Sequence, residues 1–301
     1  MRILIGVDDS RAAHVACEFV TGRAWATGTR VTLLGVVEPV FAWSGLGPLS
    51  GDGMEAESAA LALVLDERAD HLRRCGLTVD VAVEFGSAAD HLIARATADF
   101  ADLIVVGSRG LGPAASLLMG SVSAYLVDHA QCPVLVARSP SASRMLLASD
   151  GTPSSRSIPS ILAAWGSALR GLPVEVVSVA PRDMFITPWA TEDDHQSDAD
   201  LDLHESIARQ MADEMMELGW HTAAVARVGD PGRKIVDVGR EWGADLIVTG
   251  SRGVGNLERL VRGSVAHDVL LHARTSVLVV RGHVPARIGL GAESRAVLAV
   301  T

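Results

Sequence analysis

Apolar residues in this chain fall into short unbroken runs separated by longer stretches of helical periodicity. In the first half the runs are RILIGV (2–7), RVTLLGVV (30–37), TVDVAVE (78–84), DLIVVG (102–107) and PVLVA (133–137). Helical patterns lie between them, at 11–27, 55–75, 87–100 and 120–131. The second half offers RMLLAS (144–149), VEVVSV (174–179), HTAAVARV (221–228), DLIVTG (245–250) and SVLVV (276–280) in the corresponding places. Runs such as LIVV are apolar on both faces, which is what a strand covered by helices on two sides requires. Strands alternating with helices predict a parallel sheet with right-handed crossovers, hence a small doubly wound α/β domain in each half.

The two halves are copies. ADLIVVGSRG (101–110) and ADLIVTGSRG (244–253) agree at nine of ten positions, at an offset of 143. The same offset carries Gly86 to Gly229, Gly120-Ser121-Val122 to Gly263-Ser264-Val265, and Val134 to Val277. Asp8 maps to Asp150 at an offset of 142, so one residue of length changes in between. The Ser/Pro-rich segment RSPSAS (138–143) marks the boundary. Domains are expected at 1–138 and 144–281, with 282–301 a tail that has no counterpart in the first half. The connections EPVFAWSGLGPLSGDG (38–53) and APRDMFITPWATEDDHQSDAD (180–200) are long for a compact domain, and each carries aromatics: Phe41 with Trp43, Phe185 with Trp189. Such loops serve a function, or their aromatics pack at an interface.

Charge narrows the classes of partner. There are 26 basic residues against 36 acidic ones, for a net charge of -10. Neither nucleic acid nor an anionic membrane is the expected partner, because both call for clustered positive charge. Lys234 is the single lysine, so any phosphate must be held by backbone geometry. No G-x-x-x-x-G-K-[ST] loop and no S-G-G-x-D-S loop is present. Cys17, Cys75 and Cys132 show no C-x-x-C spacing, which points to a reducing, cytoplasmic setting rather than zinc or disulfides. No apolar run approaches the roughly 18 residues of a membrane span.

Ligands of open parallel sheets bind beyond the carboxyl ends of the strands, where strand order reverses. Two features of each half point there. One is the acid ending the first strand, Asp8 or Asp150, suited to accept from a pair of ribose hydroxyls. Asp9 is expected to cap the following helix. The other feature is a glycine segment, Gly107-Ser-Arg-Gly110 and Gly250-Ser-Arg-Gly253, followed after nine residues by Gly120-Ser121 and Gly263-Ser264. Glycines there permit positive φ and close ligand approach. Their amides form an anion-binding nest, and a helix opening presents further N–H groups. The histidines are scattered, and His71, His91 and His129 read as charges along solvated helices. No positioned general base stands out.

This G-x2-G-x9-G-[S/T] pattern, present twice, resembles that of the universal stress protein family, and the resemblance spans nearly the whole chain. It implies two tandem Rossmann-like domains of the adenine nucleotide alpha hydrolase type, each with a five-stranded parallel sheet of order 3-2-1-4-5. It also implies ATP or another adenine nucleotide as ligand, with Mg2+ or Mn2+ held through the phosphates. Carried onto this chain, the family's binding positions fall on Asp8, Val36, Val106, Gly107, Gly110, Gly120, Ser121 and Val122. In the second half they fall on Asp150, Val179, Thr249, Gly250, Gly253, Gly263, Ser264 and Val265. Thr249 stands where the pattern has an apolar residue, and Arg262 with Arg259 makes the second loop more cationic than the first. The resemblance further implies pairing through the fifth strands, between the halves and with a second copy in a homodimer. The function expected is a nucleotide-dependent stress-response regulator. The alternatives are a slow ATPase or self-phosphorylating enzyme, and a nucleotide-free structural duplicate.

Overall fold

The computed structural model describes residues 1–38, 51–108, 120–181, 194–251 and 264–281. In the first lobe the elements are β1 (Arg2–Gly6), α1 (Arg11–Thr21), β2 (Arg30–Val37), α2 (Gly51–Arg74), β3 (Thr78–Phe85), α3 (Ala88–Ala98), β4 (Leu103–Gly107), α4 (Ser121–His129) and β5 (Val134–Ala137). The second lobe follows with β6 (Met145–Ala148), α5 (Pro153–Arg156), α6 (Ile158–Ala164), β7 (Pro173–Pro181), α7 (Asp194–Glu217), β8 (His221–Gly229), α8 (Pro231–Trp242), β9 (Leu246–Ser251), α9 (Ser264–His272) and β10 (Ser276–Arg281). The ten expected strands are all present. The expected 11–27 helix stops at Thr21, with Gly22 as its C-cap, because the chain then turns so that Trp25 can bridge to Gly166 of the other lobe. The corresponding helix of the second lobe is split into α5 and α6, each with a proline in its first turn.

All ten strands form one sheet, in the order β3-β2-β1-β4-β5-β10-β9-β6-β7-β8. Each half is parallel and has the 3-2-1-4-5 order. The halves meet where β10 pairs antiparallel with β5, Val277 opposite Val136 and Val279 opposite Val134. This joint fits the sequence. VLVA and VLVV are uncharged edges that would otherwise expose unpaired N–H and C=O groups. Because β5 is flanked by β4 and β10, and β10 by β5 and β9, the fifth strands leave no edge for a second copy. The homodimer expected through those strands therefore has no place in this sheet; the duplication has put the partner strand inside the chain.

Two layers of helix bury the sheet. One face holds Ile3, Ile5, Leu33, Leu103, Val105, Leu147, Val176 and Val248 with Phe19, Leu65 and Met211. The other holds Leu4, Ile104, Val106, Val136, Leu146, Val177, Ile247 and Val279 with Leu126, Ile235 and Val269. Alternate residues of one strand thus enter opposite cores, which is why the central runs are apolar throughout.

Arginines one repeat apart cross the joint in both directions. Arg138 donates to the carbonyls of Thr275 (3.1 Å) and Leu270 (2.7 Å) of the second lobe. Arg281 donates to Val127 O of the first. Leu270 and Val127 lie in the last turns of α9 and α4, where carbonyls lack helical partners and a cation is favoured. No helix among the described residues is long and apolar enough to cross a membrane.

Candidate functional site

Parallel pairing brings the named ends together. β1 lies beside β4 with Ile5 opposite Val105, so Asp8 and Gly107 emerge at neighbouring strand ends. β6 lies beside β9 with Ala148 opposite Thr249, which places Asp150 next to Thr249 and Gly250. The first strand of each lobe stays bonded to the second at matching points, Val7 N to Leu34 O and Ser149 N to Val177 O, both 2.9 Å. Beyond those bonds stand Val36, partly buried on β2, and Val179, buried on β7.

In the second lobe these residues surround a cavity of about 310 Å3, within the size range of small-molecule sites. Asp150, Val179, Thr249, Gly250 and Val265 all line it, together with Ser149, Thr152, Ser155 and His204. Asp150 is an organised acceptor: its Oδ1 receives Thr152 N at 3.1 Å, Thr152 Oγ1 at 2.6 Å and Ser155 Oγ at 3.0 Å. The Thr249 hydroxyl is directed to Gly250 O at 3.2 Å. In the first lobe Asp8 accepts Ser10 N at 3.1 Å. Ser10, not Asp9, caps α1, its Oγ accepting Ala13 N at 3.1 Å, while Asp9 is exposed. The cap falls one residue later than expected because the Asp8 carboxylate is turned back onto the Ser10 amide.

Gly107 and Gly250 do not have the positive φ that the sequence led one to expect. A Cβ on Gly107 would stand 2.5 Å from the carbonyl carbon of Ala12, and one on Gly250 would stand 3.0 Å from Ser155 N. The space that glycine frees is taken by the helix following the first strand of each lobe, not left for a ligand. Gly120 is the N-cap of α4, in extended conformation and with no side-chain cap. Its N–H bonds Ser108 O at 2.8 Å, so the helix opening is tied back to the end of β4. Ser121, exposed, and Val122 open that helix. Ser123 supplies the local hydroxyl contact, to Gly120 O at 2.9 Å. Ser264 and Val265 are the first residues of α9. Gly110, Gly253 and Gly263, the loop arginines Arg259 and Arg262, the aromatic pairs Phe41/Trp43 and Phe185/Trp189, and the 282–301 tail lie outside the described residues.

Reading the histidines as charges along single helices does not hold for two of them. His71 on α2 meets Glu18 of α1 at 3.0 Å, and His91 on α3 meets Glu84 of β3. His204 was missed altogether. It sits on α7, its Nδ1 2.7 Å from the buried Ser178 hydroxyl of β7. Burial pushes its imidazole below the ordinary histidine value, with Asp200 and Asp150 pulling the other way. Aligning the repeats would have flagged it, since Leu61 holds the equivalent place.

The universal stress protein family model matches residues 1–138 and again 142–281. The chain belongs to that family. A universal stress protein of Mycobacterium tuberculosis is 29% identical over 299 residues, covering 93% of this chain and 96% of the relative. Another universal stress protein, from Mycobacterium bovis, is 34% identical over 198 residues, covering 60% of this chain and 62% of its own length. The crystal structure of a universal stress protein from Archaeoglobus fulgidus shares the fold, with a TM-score of 0.65, 19% identity, and coverage of 93% of this chain and 96% of that one.

Proposed function

We propose that this universal stress protein binds an adenine nucleotide, ATP with Mg2+ or Mn2+, beyond the ends of β1 and β4 and of β6 and β9. In this reading it acts as a nucleotide-dependent regulator in the cytoplasm rather than as an enzyme. The observation that carries the reading is the second-lobe cavity. Five of the eight second-lobe residues named from the motif converge on one space of about 310 Å3 at the point where strand order reverses. The donor set suits an adenosine: Asp150 for sugar hydroxyls, and buried Val179 and Thr249 beside the base. The phosphates would meet the amides of the glycine segment and the opening turns of α4 and α9. Among the described residues no three His, Cys, Asp or Glu side chains gather. A divalent cation would therefore arrive with the phosphates, supplying charge neutralisation there.

Binding is favoured over turnover because Asp150 Oδ1 already accepts from two hydroxyls and an amide of its own loop, which suits that oxygen poorly to taking a proton from water. Calorimetric titration of the full chain with ATP, AMP and cyclic AMP in the presence of Mg2+ tests the reading. Saturable binding at one or two sites per chain, weakened by Asp150→Ala and Asp8→Ala, is expected. No heat of binding with any of the three, and no thermal protection, would refute it. Phosphate release above background would move the protein to the enzyme class.

A further inference from the structure

The two lobes place different chemistry at equivalent positions. On the 143-residue offset, Ser178 and His204 stand where the first lobe has Gly35 and Leu61. The equivalence is structural as well. A Cβ on Gly35 would lie 2.8 Å from Leu61 Cδ2, so an apolar side chain of α2 occupies the space above β2. In the second lobe the Ser178 hydroxyl occupies it instead and holds His204 Nδ1 at 2.7 Å. The change is not isolated. Ser155 replaces Ala12, Thr249 replaces Val106 and Ser149 replaces Val7, all beside the same cavity.

A buried serine bonded to one ring nitrogen fixes the orientation of a histidine, whichever ring nitrogen carries the proton. Here it leaves Nε2 as the remaining polar atom of a residue that lines the cavity. We propose that His204 is a ligand-contacting residue, held by Ser178, that gives the second-lobe cavity a hydrogen-bonding group where the first lobe has Leu61, so that the two lobes bind the nucleotide unequally. The inference rests on the nucleotide reading above. Near the Asp150 carboxylate and the β7 end, the imidazole meets the sugar and base rather than the phosphates. A neutral hydrogen bond of this kind alters affinity by roughly three- to tenfold.

The test uses the full chain. Two-dimensional 1H–15N spectra of the imidazoles, with His204 identified by its absence in His204→Gln, are recorded before and after adding ATP and Mg2+. The His204 Nε2 resonance is expected to move on saturation, while Nδ1 keeps its serine-bonded position. Calorimetry of Ser178→Gly/His204→Leu, which installs the first lobe's pair and leaves no orphaned hydroxyl, is expected to weaken one binding event three- to tenfold and spare any other. ATP that binds while the His204 resonances stay still, or a double variant with unchanged affinities, overturns the inference and leaves the nucleotide reading standing. Absence of ATP binding to the unaltered chain overturns both.

Discussion

Gly107→Ala and Gly250→Ala make the same change at repeat-equivalent positions, yet the structure gives them different costs. At Gly107 the new Cβ would stand 2.5 Å from Ala12 C and 2.6 Å from Ala12 Cβ and O. An ordinary contact begins at 3.4 Å, so the first turn of α1 must retreat by about 0.9 Å or β4 must yield. Both are backbone, and neither moves without disturbing the apolar core between them. Overpacking of this kind costs about 1–3 kcal/mol. Against it stands the smaller entropy of the unfolded alanine chain, about 0.4–1 kcal/mol in favour of the variant, available because φ at Gly107 is compatible with alanine. The net expectation is a loss of about 1–2 kcal/mol. At Gly250 the nearest atom is Ser155 N at 3.0 Å, a shortfall of 0.4 Å, and the opposing effects nearly cancel, to within about 0.5 kcal/mol. Urea unfolding followed by far-UV circular dichroism, without nucleotide, measures the difference. With a slope of about 3 kcal/mol per M, Gly107→Ala lowers the midpoint by roughly 0.5 M and Gly250→Ala by less than about 0.2 M. Equal midpoints for the two variants, or a Gly107→Ala midpoint at the unaltered value, would show that the glycine serves something other than helix packing.

Other consequences are open to direct measurement. Arg138→Ala and Arg281→Ala each remove charge-assisted bonds to helix-end carbonyls across the joint, and each is expected to cost about 1–3 kcal/mol in thermal unfolding; no change in either would discount the reciprocal clasp. Ser10→Ala loses the α1 cap at about 1 kcal/mol, whereas Asp9→Ala stays within about 0.5 kcal/mol, and the reverse order would restore Asp9 as the cap. Burial pushes the Cys17 and Cys132 thiols up to about 12, whereas Cys75 is exposed. A thiol reagent at pH 8 is therefore expected to modify one cysteine per folded chain and three after denaturation. The same two thiols titrate near 9.0 when unfolded, so the stability they contribute is complete below that pH and is lost as pH rises toward 12. A stability profile flat across that alkaline window would contradict their burial.

The strands, their parallel direction and the duplication could be read from the chain's pattern, and the strand order with its switch point from the family resemblance the motif carries. Short unbroken apolar runs between helical stretches fit doubly covered strands, and a repeated motif at fixed spacing needs no coordinates to be seen. The meeting of Asp150 with Thr249 and Gly250 followed from the 3-2-1-4-5 order that the family resemblance implies, which sets the first strand of each half beside the fourth. What the chain concealed depended on what fills a given space. Identical GSRG segments do not say whether a missing Cβ makes room for a ligand or for Ala12 and Ser155; three-dimensional proximity assigns it to the helix. The cap at Ser10 turned on one carboxylate folding back onto an amide, a local choice that composition does not dictate. Pairing of the fifth strands between the halves was implied by the resemblance, but only the folded chain shows that this pairing closes the sheet to a further strand. His204 looked like one of ten scattered histidines until β7 and α7 packed and put it on Ser178. Periodicity encodes which residues are buried; which partner each meets is decided by the packing of elements distant in sequence.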